Sequence, residues 1–300
     1  KHISPYLIGI SCEDQDTFDN ILINLDKSVL KENIGGNTTT ALSVANYLCS
    51  SNLNKTDIFK YHSKSDSYFI PKPEIQIFGG GAHANKNNTF QDFLIYPLID
   101  FSCEEYFNIV YNVSHTAKNK LIKNENFYGY CDEGGLFPHN LNHYQICEII
   151  NESIIENNVN PEKDLGISID VAASNFYSGG IYSLNDKELD TMELTKIFNK
   201  LIEEFNVSLI EDPYNENDIS SFAKLKKKHE NHAKIIGDDL ICTNFNLLNN
   251  AIEKKAIDGF VTYLATEKLG DEILKVLDSP MGSVDNHEGV VIRDENIANV

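Results

Sequence analysis

The sequence predicts an α/β fold built on a parallel sheet. Short, largely apolar runs recur at Leu165–Ile169, Val207–Ile210 and Ile235–Gly237, and runs of this length read as strands buried on both faces. Helical patterns separate them, around Glu193–Phe205 and Ile219–His229. Each run ends on an acid: Asp170, Glu211 and Asp238. Consecutive β–α units therefore each bring one carboxylate to the same end of the sheet, where α/β folds place their chemistry.

Taken singly, a strand-end acid reads as an N-cap for the following helix, and Asp212-Pro213 and Asp239 have that look. Three acids at matching positions in successive units point elsewhere. Converging carboxylates repel one another unless a cation lies between them, and all-oxygen ligation suits a hard ion such as Mg2+.

The remaining elements follow in chain order. Residues 1–61 are helical in pattern: Phe18, Ile21, Leu22 and Leu25 recur at helix spacing, and Thr39–Leu48 is rich in small residues that allow close packing. Ser65–Tyr68 and Pro71-Lys72-Pro73 read as a linker into a second domain. Glu74–Phe78 is a short strand running into Gly79-Gly80-Gly81-Ala82-His83, and Gln91–Pro97 is the next strand. The glycine run on its own reads as a tight turn.

A helix over Glu104–Asn119 leads to the loop Asp132-Glu133-Gly134-Gly135, a further acidic feature, and a second helix covers His143–Glu156. The order is thus β β α α followed by repeated β α. After Asp238 come a helix at Phe245–Lys255, a strand at Gly259–Leu264, a helix at Asp271–Leu277 and a weak strand near Gly282–Val284. The pattern is helical again to Val300, and a barrel one strand short would expose two sheet edges. A longer parent protein is therefore expected.

Composition bounds the function. The 300 residues carry a net charge of -20 and are 41% hydrophobic, enough for a sizeable core. Such charge argues against nucleic acid or an anionic membrane as partner, and no stretch approaches the roughly 20 apolar residues of a membrane span. Six scattered cysteines without a C-x-x-C pair fit reduced thiols and a cytoplasmic location. His229-x-x-His232 beside Lys226-Lys227-Lys228 reads as a solvated helix end, because no third metal ligand accompanies it.

Several segments together resemble the enolase family. They are Gly80-Gly81-Ala82-His83-Ala84, Gln91-Asp92-Phe93, Asp132-Glu133-Gly134-Gly135, Ile169-Asp170-Val171-Ala172-Ala173-Ser174, Ile210-Glu211-Asp212-Pro213, Gly237-Asp238-Asp239-Leu240 with Thr243-Asn244, and Ala251–Ala256. The resemblance runs in register from about Phe18 to Asp258. It implies an enolase-type ββαα(βα)6 TIM-like barrel over residues 65–300, its last strand absent from this chain. Residues 1–64 are then the helical end of a small α+β domain.

Enolases are Mg2+-dependent lyases of glycolysis that dehydrate 2-phosphoglycerate to phosphoenolpyruvate, usually as dimers. By resemblance, Asp170, Glu211 and Asp238 match the metal ligands and Glu133 the acid that helps the hydroxyl leave. His83, Gln91 and Asp92, with Glu211 and Asp238, match the substrate pocket, Asp92 standing where the family usually has Glu.

The departures are chemical. The family's general base, a Lys on the sixth strand, corresponds to Tyr263, and a phenol with pKa of about 10 is a poor proton acceptor at neutral pH. Lys268 lies beyond that strand. The family's His-Arg-Ser-Gly-Glu is replaced by Asn286-His287-Glu288-Gly289-Val290, so the fork of donors that grips phosphate is gone and a carboxylate faces it instead. Two expectations follow: an enolase with impaired or lost catalysis, acting if at all on a small phosphorylated acid, or a non-catalytic enolase-fold interaction protein in a homo- or hetero-oligomer. A different lyase or racemase would need a base that the sequence does not offer.

Overall fold

The computed structural model describes residues 2–28, 31–62, 72–82, 87–131, 133–262 and 289–292. His83, Tyr263, Lys268, Asn286, His287 and Glu288, together with the expected elements at 271–277 and 282–284, lie outside these. The chain divides into two compact units, one of residues 1–71 with 262–300, the other of residues 72–261.

In the first unit, helices α1 (Ser4–Leu7), α2 (Gln15–Leu25), α3 (Gly36–Leu53) and α4 (Ile58–His62) bear out the helical pattern. The faces of α2 and α3 are joined by polar contacts. Gln15 Nε2 donates to Asp19 Oδ1, Ser43 O and Ser43 Oγ, each at 3.1 Å, and Gln15 Oε1 accepts from Asn46 Nδ2 at 2.8 Å. Ser43, Asn46, Ser50 and Ser51 are the buried residues of α3, whereas Ala41 and Ala45 of the small-residue run are exposed.

Asp26, fully buried, organises the turn after α2. Its carboxylate accepts from the amides of Ser28, Asn33 and Ile34 and from the side chains of Ser28 and Asn33. Those donors hold its pKa well below the usual carboxylate range. The described stretch Gly289–Ile292 is a strand, not the helix expected at the chain end. Val290, Val291 and Ile292 are β-branched, and that local preference prevails.

The second unit is a sheet flanked by helices. Its strands are β1 (Ile75–Gly81), β2 (Asn87–Pro97), β3 (Phe127–Tyr130), β4 (Leu136–Pro138), β5 (Leu165–Asp170), β9 (Val207–Glu211), β10 (Lys234–Gly237) and β11 (Gly259–Thr262). Their spatial order is β11-β10-β9-β5-β2-β1-β4-β3. β5, β9, β10 and β11 are mutually parallel, whereas β2 is antiparallel to both β1 and β5. A small antiparallel sheet of β6 (Tyr177–Ser178), β7 (Ile181–Leu184) and β8 (Lys187–Leu189) interrupts the β–α repeat after β5.

The helices of this unit begin where side chains can satisfy free amides. Capping boxes of Ser102 with Glu105, Asn142 with Gln145 and Asp190 with Glu193 start α5 (Cys103–Lys123), α6 (His143–Glu156) and α7 (Thr191–Phe205). Asp218 caps α8 (Ile219–His229) and Asn244 caps α9 (Phe245–Glu253). His229 is 4% exposed and bonded to Asn199 Oδ1 at 2.7 Å. It is a buried tie between α8 and α7 rather than a solvated end.

Between sheet and helices lies an aromatic core centred on Phe90, whose ring stacks on those of Phe93, Phe176 and His143. His143 is 5% exposed, and neither ring nitrogen has a hydrogen-bond partner among the described residues. Burial first, then Lys187 and Lys200, push its pKa from 6.5 down to about 4. A base with a depressed folded pKa contributes stability that is complete above about pH 6.5 and lost as pH falls toward 4. His143→Leu, of similar volume and with no polar atom to desolvate, is expected to stabilise by about 1–2 kcal/mol at pH 7.5, and by more at pH 5. Urea unfolding at the two pH values measures this, and a margin that shrinks on acidification would refute it.

Candidate active site and metal centre

Register sets three acids in a row. Asp170 ends β5, with Asp92 of β2 as its direct partner on one side and Glu211, the last residue of β9, on the other. Neighbouring strands stand about 4.8 Å apart, so adjacent carboxylates in register share one face at close range. Glu211 pairs in turn with Ile236 of β10, two residues before Asp238. The structure thus brings Asp92, Asp170, Glu211 and Asp238 to one end of the sheet.

The electrostatics are those of crowded acids. Burial, then Asp212 and Asp92, raise the Asp170 pKa well above its usual range; burial, then Asp170 and Asp212, do the same for Glu211. Asp238 adds to both shifts. Asp170 is also held by local donors, the Ala172 amide and Gln91 Nε2, each at 2.9 Å. Gln91 Oε1 accepts from Asn175 Nδ2 at 3.3 Å, which fixes the orientation of that amide.

Glu133 sits on the loop between β3 and β4 and is exposed. Gln76 of β1, a residue the sequence reading did not select, ties it to the row. Its Nε2 donates to Asp92 Oδ1 and, at 3.2 Å, to Glu133 Oε2, while its Oε1 accepts from the Gly135 amide at 2.9 Å. The glycines of this loop are required. Gly134 has φ +93°, and a Cβ on Gly135 would fall 2.3 Å from Gln76 Oε1. Alternation of polar Glu74 and Gln76 with apolar Ile75 and Ile77 is the signal that could have found Gln76.

Asp212 is a clamp, not the helix cap that Asp212-Pro213 suggests in sequence. Its carboxylate accepts from the amides of Asp238, Asp239 and Leu240 across the sheet, and α8 is capped by Asp218. Burial pushes the Asp212 pKa up to about 8 despite these donors.

The donor chemistry of this end fits a hard divalent cation, since it is all oxygen, negatively charged and partly desolvated. Among the described residues no group of three or more acid, histidine or cysteine side chains stands in joint ligand geometry.

The chain's relatives decide the family. The enolase C-terminal TIM barrel domain matches residues 67–279 and the enolase N-terminal domain matches residues 1–62. This chain belongs to the enolase family. Enolase of Lactobacillus helveticus is 35% identical over 257 residues, 85% of this chain and 60% of that protein. Enolase of Ehrlichia chaffeensis is 30% identical over 261 residues, 84% and 60% respectively, and enolase of Mesomycoplasma hyopneumoniae 31% over 324 residues, 99% and 71%. The chain therefore spans about 60% of the length of the first of these relatives. The α/β barrel class agrees with the sequence reading. No helix among the described residues is long and apolar enough to cross a membrane.

A further acid, Glu74, stands just before β1 and adds to the raised pKa of Glu211. Burial raises the Glu74 pKa from 4.5 to about 7, against a smaller opposing effect of Ser168. Nearby, Tyr96 Oη and Ser208 Oγ are 2.8 Å apart. An acid with a raised folded pKa leaves stability intact below about pH 4.5 and subtracts from it as pH rises through 7. Glu74→Gln should accordingly gain up to about 3 kcal/mol at pH 8 and almost nothing at pH 4.5. Denaturant midpoints across this range provide the check, and equal gains at both ends would refute the assignment.

Proposed function

We infer that this chain is an enolase-family protein that keeps the carboxylate half of a Mg2+ site while dehydration of 2-phosphoglycerate is impaired or lost. The observation carrying this reading is the row Asp92–Asp170–Glu211, in register on three adjacent strands, with Asp92 adding to the raised pKa of Asp170 and Asp170 to that of Glu211. Asp170, Glu211 and Asp238 would hold the ion, which would supply charge stabilisation at the substrate carboxylate. Glu133, oriented by Gln76, would serve as the acid at the leaving hydroxyl. Against turnover stand Tyr263 at the base position and Asn286-His287-Glu288 at the phosphate grip.

The alternative is a non-catalytic enolase-fold component of a homo- or hetero-oligomer, favoured by the same departures. A small phosphorylated acid is the ligand class if activity remains. Six cysteines, none of them joined in a disulfide, support a reducing compartment such as the cytoplasm.

The ion is tested by heat. A ligand at a hundred times its Kd stabilises the folded chain by about 2.7 kcal/mol, so millimolar Mg2+ should raise the melting temperature. Asp238→Ala and Asp238→Asn should each remove the rise. Identical melting curves with and without Mg2+ would eliminate the metal site.

A further inference from the structure

The first unit carries a pair of thiols that the barrel chemistry does not use. The segment before α2 lies along α3 and is fixed to it at several points. Cys12 O accepts from Asn46 Nδ2 at 3.1 Å, Gln15 bonds Ser43 and Asn46, and Glu13 Oε1 accepts from Asn54 Nδ2 at 3.1 Å. Cys49 is three residues beyond Asn46 on α3, and residues three apart on a helix share a face. It therefore lies on the helix face over which Cys12 is held. Cys12 is half-buried, Cys49 is exposed, and both are unpaired.

We propose that Cys12 and Cys49 form a reversible dithiol–disulfide site, oxidised by small-molecule disulfides and locking the segment before α2 onto α3. Accessibility sets the order of events. The Cys49 thiolate attacks one sulfur of the small disulfide; the S–S bond breaks and one small thiolate leaves, taking up a proton. Cys12 then loses its proton and attacks Cys49 Sγ, forming the Cys12–Cys49 bond and expelling the second small thiolate. Two protein thiols are oxidised and one small disulfide is reduced to two thiols.

Burial, followed by the neighbouring Cys49 thiol, raises the Cys12 pKa, which suits it to the second step rather than the first. The new bond would close the loop from residue 12 to 49 and so restrict the unfolded chain.

The full chain is incubated with oxidised glutathione, remaining thiols are alkylated, and the peptides are mapped by mass. The expected product is an intramolecular Cys12–Cys49 disulfide with a raised melting temperature. Cys103 and Cys242, also exposed, should carry at most a glutathione adduct. Cys12→Ser should trap the adduct on Cys49, which the parent clears at least about tenfold faster because its second thiol is already in place. Cys49→Ser should leave Cys12 reduced. A stable glutathione adduct on Cys49 of the parent with Cys12 free, or disulfides between chains in place of the internal one, would overturn the proposal.

Discussion

Replacing Asp212 by alanine is expected to lower stability by about 3–5 kcal/mol and to abolish any response to Mg2+. The side chain is 2% exposed and accepts from three backbone amides, those of Asp238, Asp239 and Leu240. Losing the acceptor leaves amides without partners at a cost of about 1–3 kcal/mol each. Asp212 also has φ +40°, a left-handed backbone that Asp and Asn tolerate better than Ala. Asp212→Asn keeps one carbonyl acceptor and the backbone preference, so its loss should be about half as large. Because the amide of Asp238 is one of those clamped, its carboxylate would lose its fixed place beside Glu211 even in molecules that stay folded. Urea unfolding and melting with and without the ion read both effects. An alanine variant within about 1 kcal/mol of the parent, still responding to Mg2+, would show that the clamp does nothing.

That clamp marks how far the candidate site could be read from sequence. Asp170, Glu211 and Asp238 were legible because a residue closing a buried parallel strand has a fixed position relative to its neighbours. Asp212 was not. An acid before proline has the same local signature whether it caps a helix or reaches across the sheet, and only the tertiary partner separates the two. Gln76 was hidden for a related reason: its role is to bridge Asp92 and Glu133, residues 16 and 57 positions away.

The fold was legible where periodicity had room to act. α6 and α8 match their expected bounds, His143–Glu156 and Ile219–His229, since each combines an N-cap with several turns of apolar spacing. The β3–β4 hairpin and the β6–β7–β8 sheet were missed. Their strands are only two to four residues long, too short for an alternation to stand out. The cue for the second was turn chemistry. Gly179-Gly180 and Asn185-Asp186 all have positive φ, the pattern of a tight two-residue hairpin turn.

The largest effect concerns turnover. With saturating Mg2+, this chain should form phosphoenolpyruvate from 2-phosphoglycerate at least about a hundredfold more slowly than the enolase of Lactobacillus helveticus, since a positioned base alone contributes about 10²–10⁴ in rate. At the base position proposed for it, Tyr263 would supply neither a strong base at pH 7 nor an ammonium to hold the substrate's anionic groups. Ground-state binding should fail separately on the same proposal, in which Glu288 would replace a hydroxyl donor with a like charge and His287 would lack the planar fork of Arg. The two defects have different signatures. Glu288→Ser, which removes repulsion without supplying a base, should tighten binding of a phosphorylated inhibitor by about tenfold, the equivalent of about 1.4 kcal/mol, while leaving kcat unchanged. Tyr263→Phe should change neither quantity if the phenol takes no part in proton transfer. Turnover by the parent chain within tenfold of its relative, or a marked fall in kcat for Tyr263→Phe, would show instead that the phenol has taken over as base.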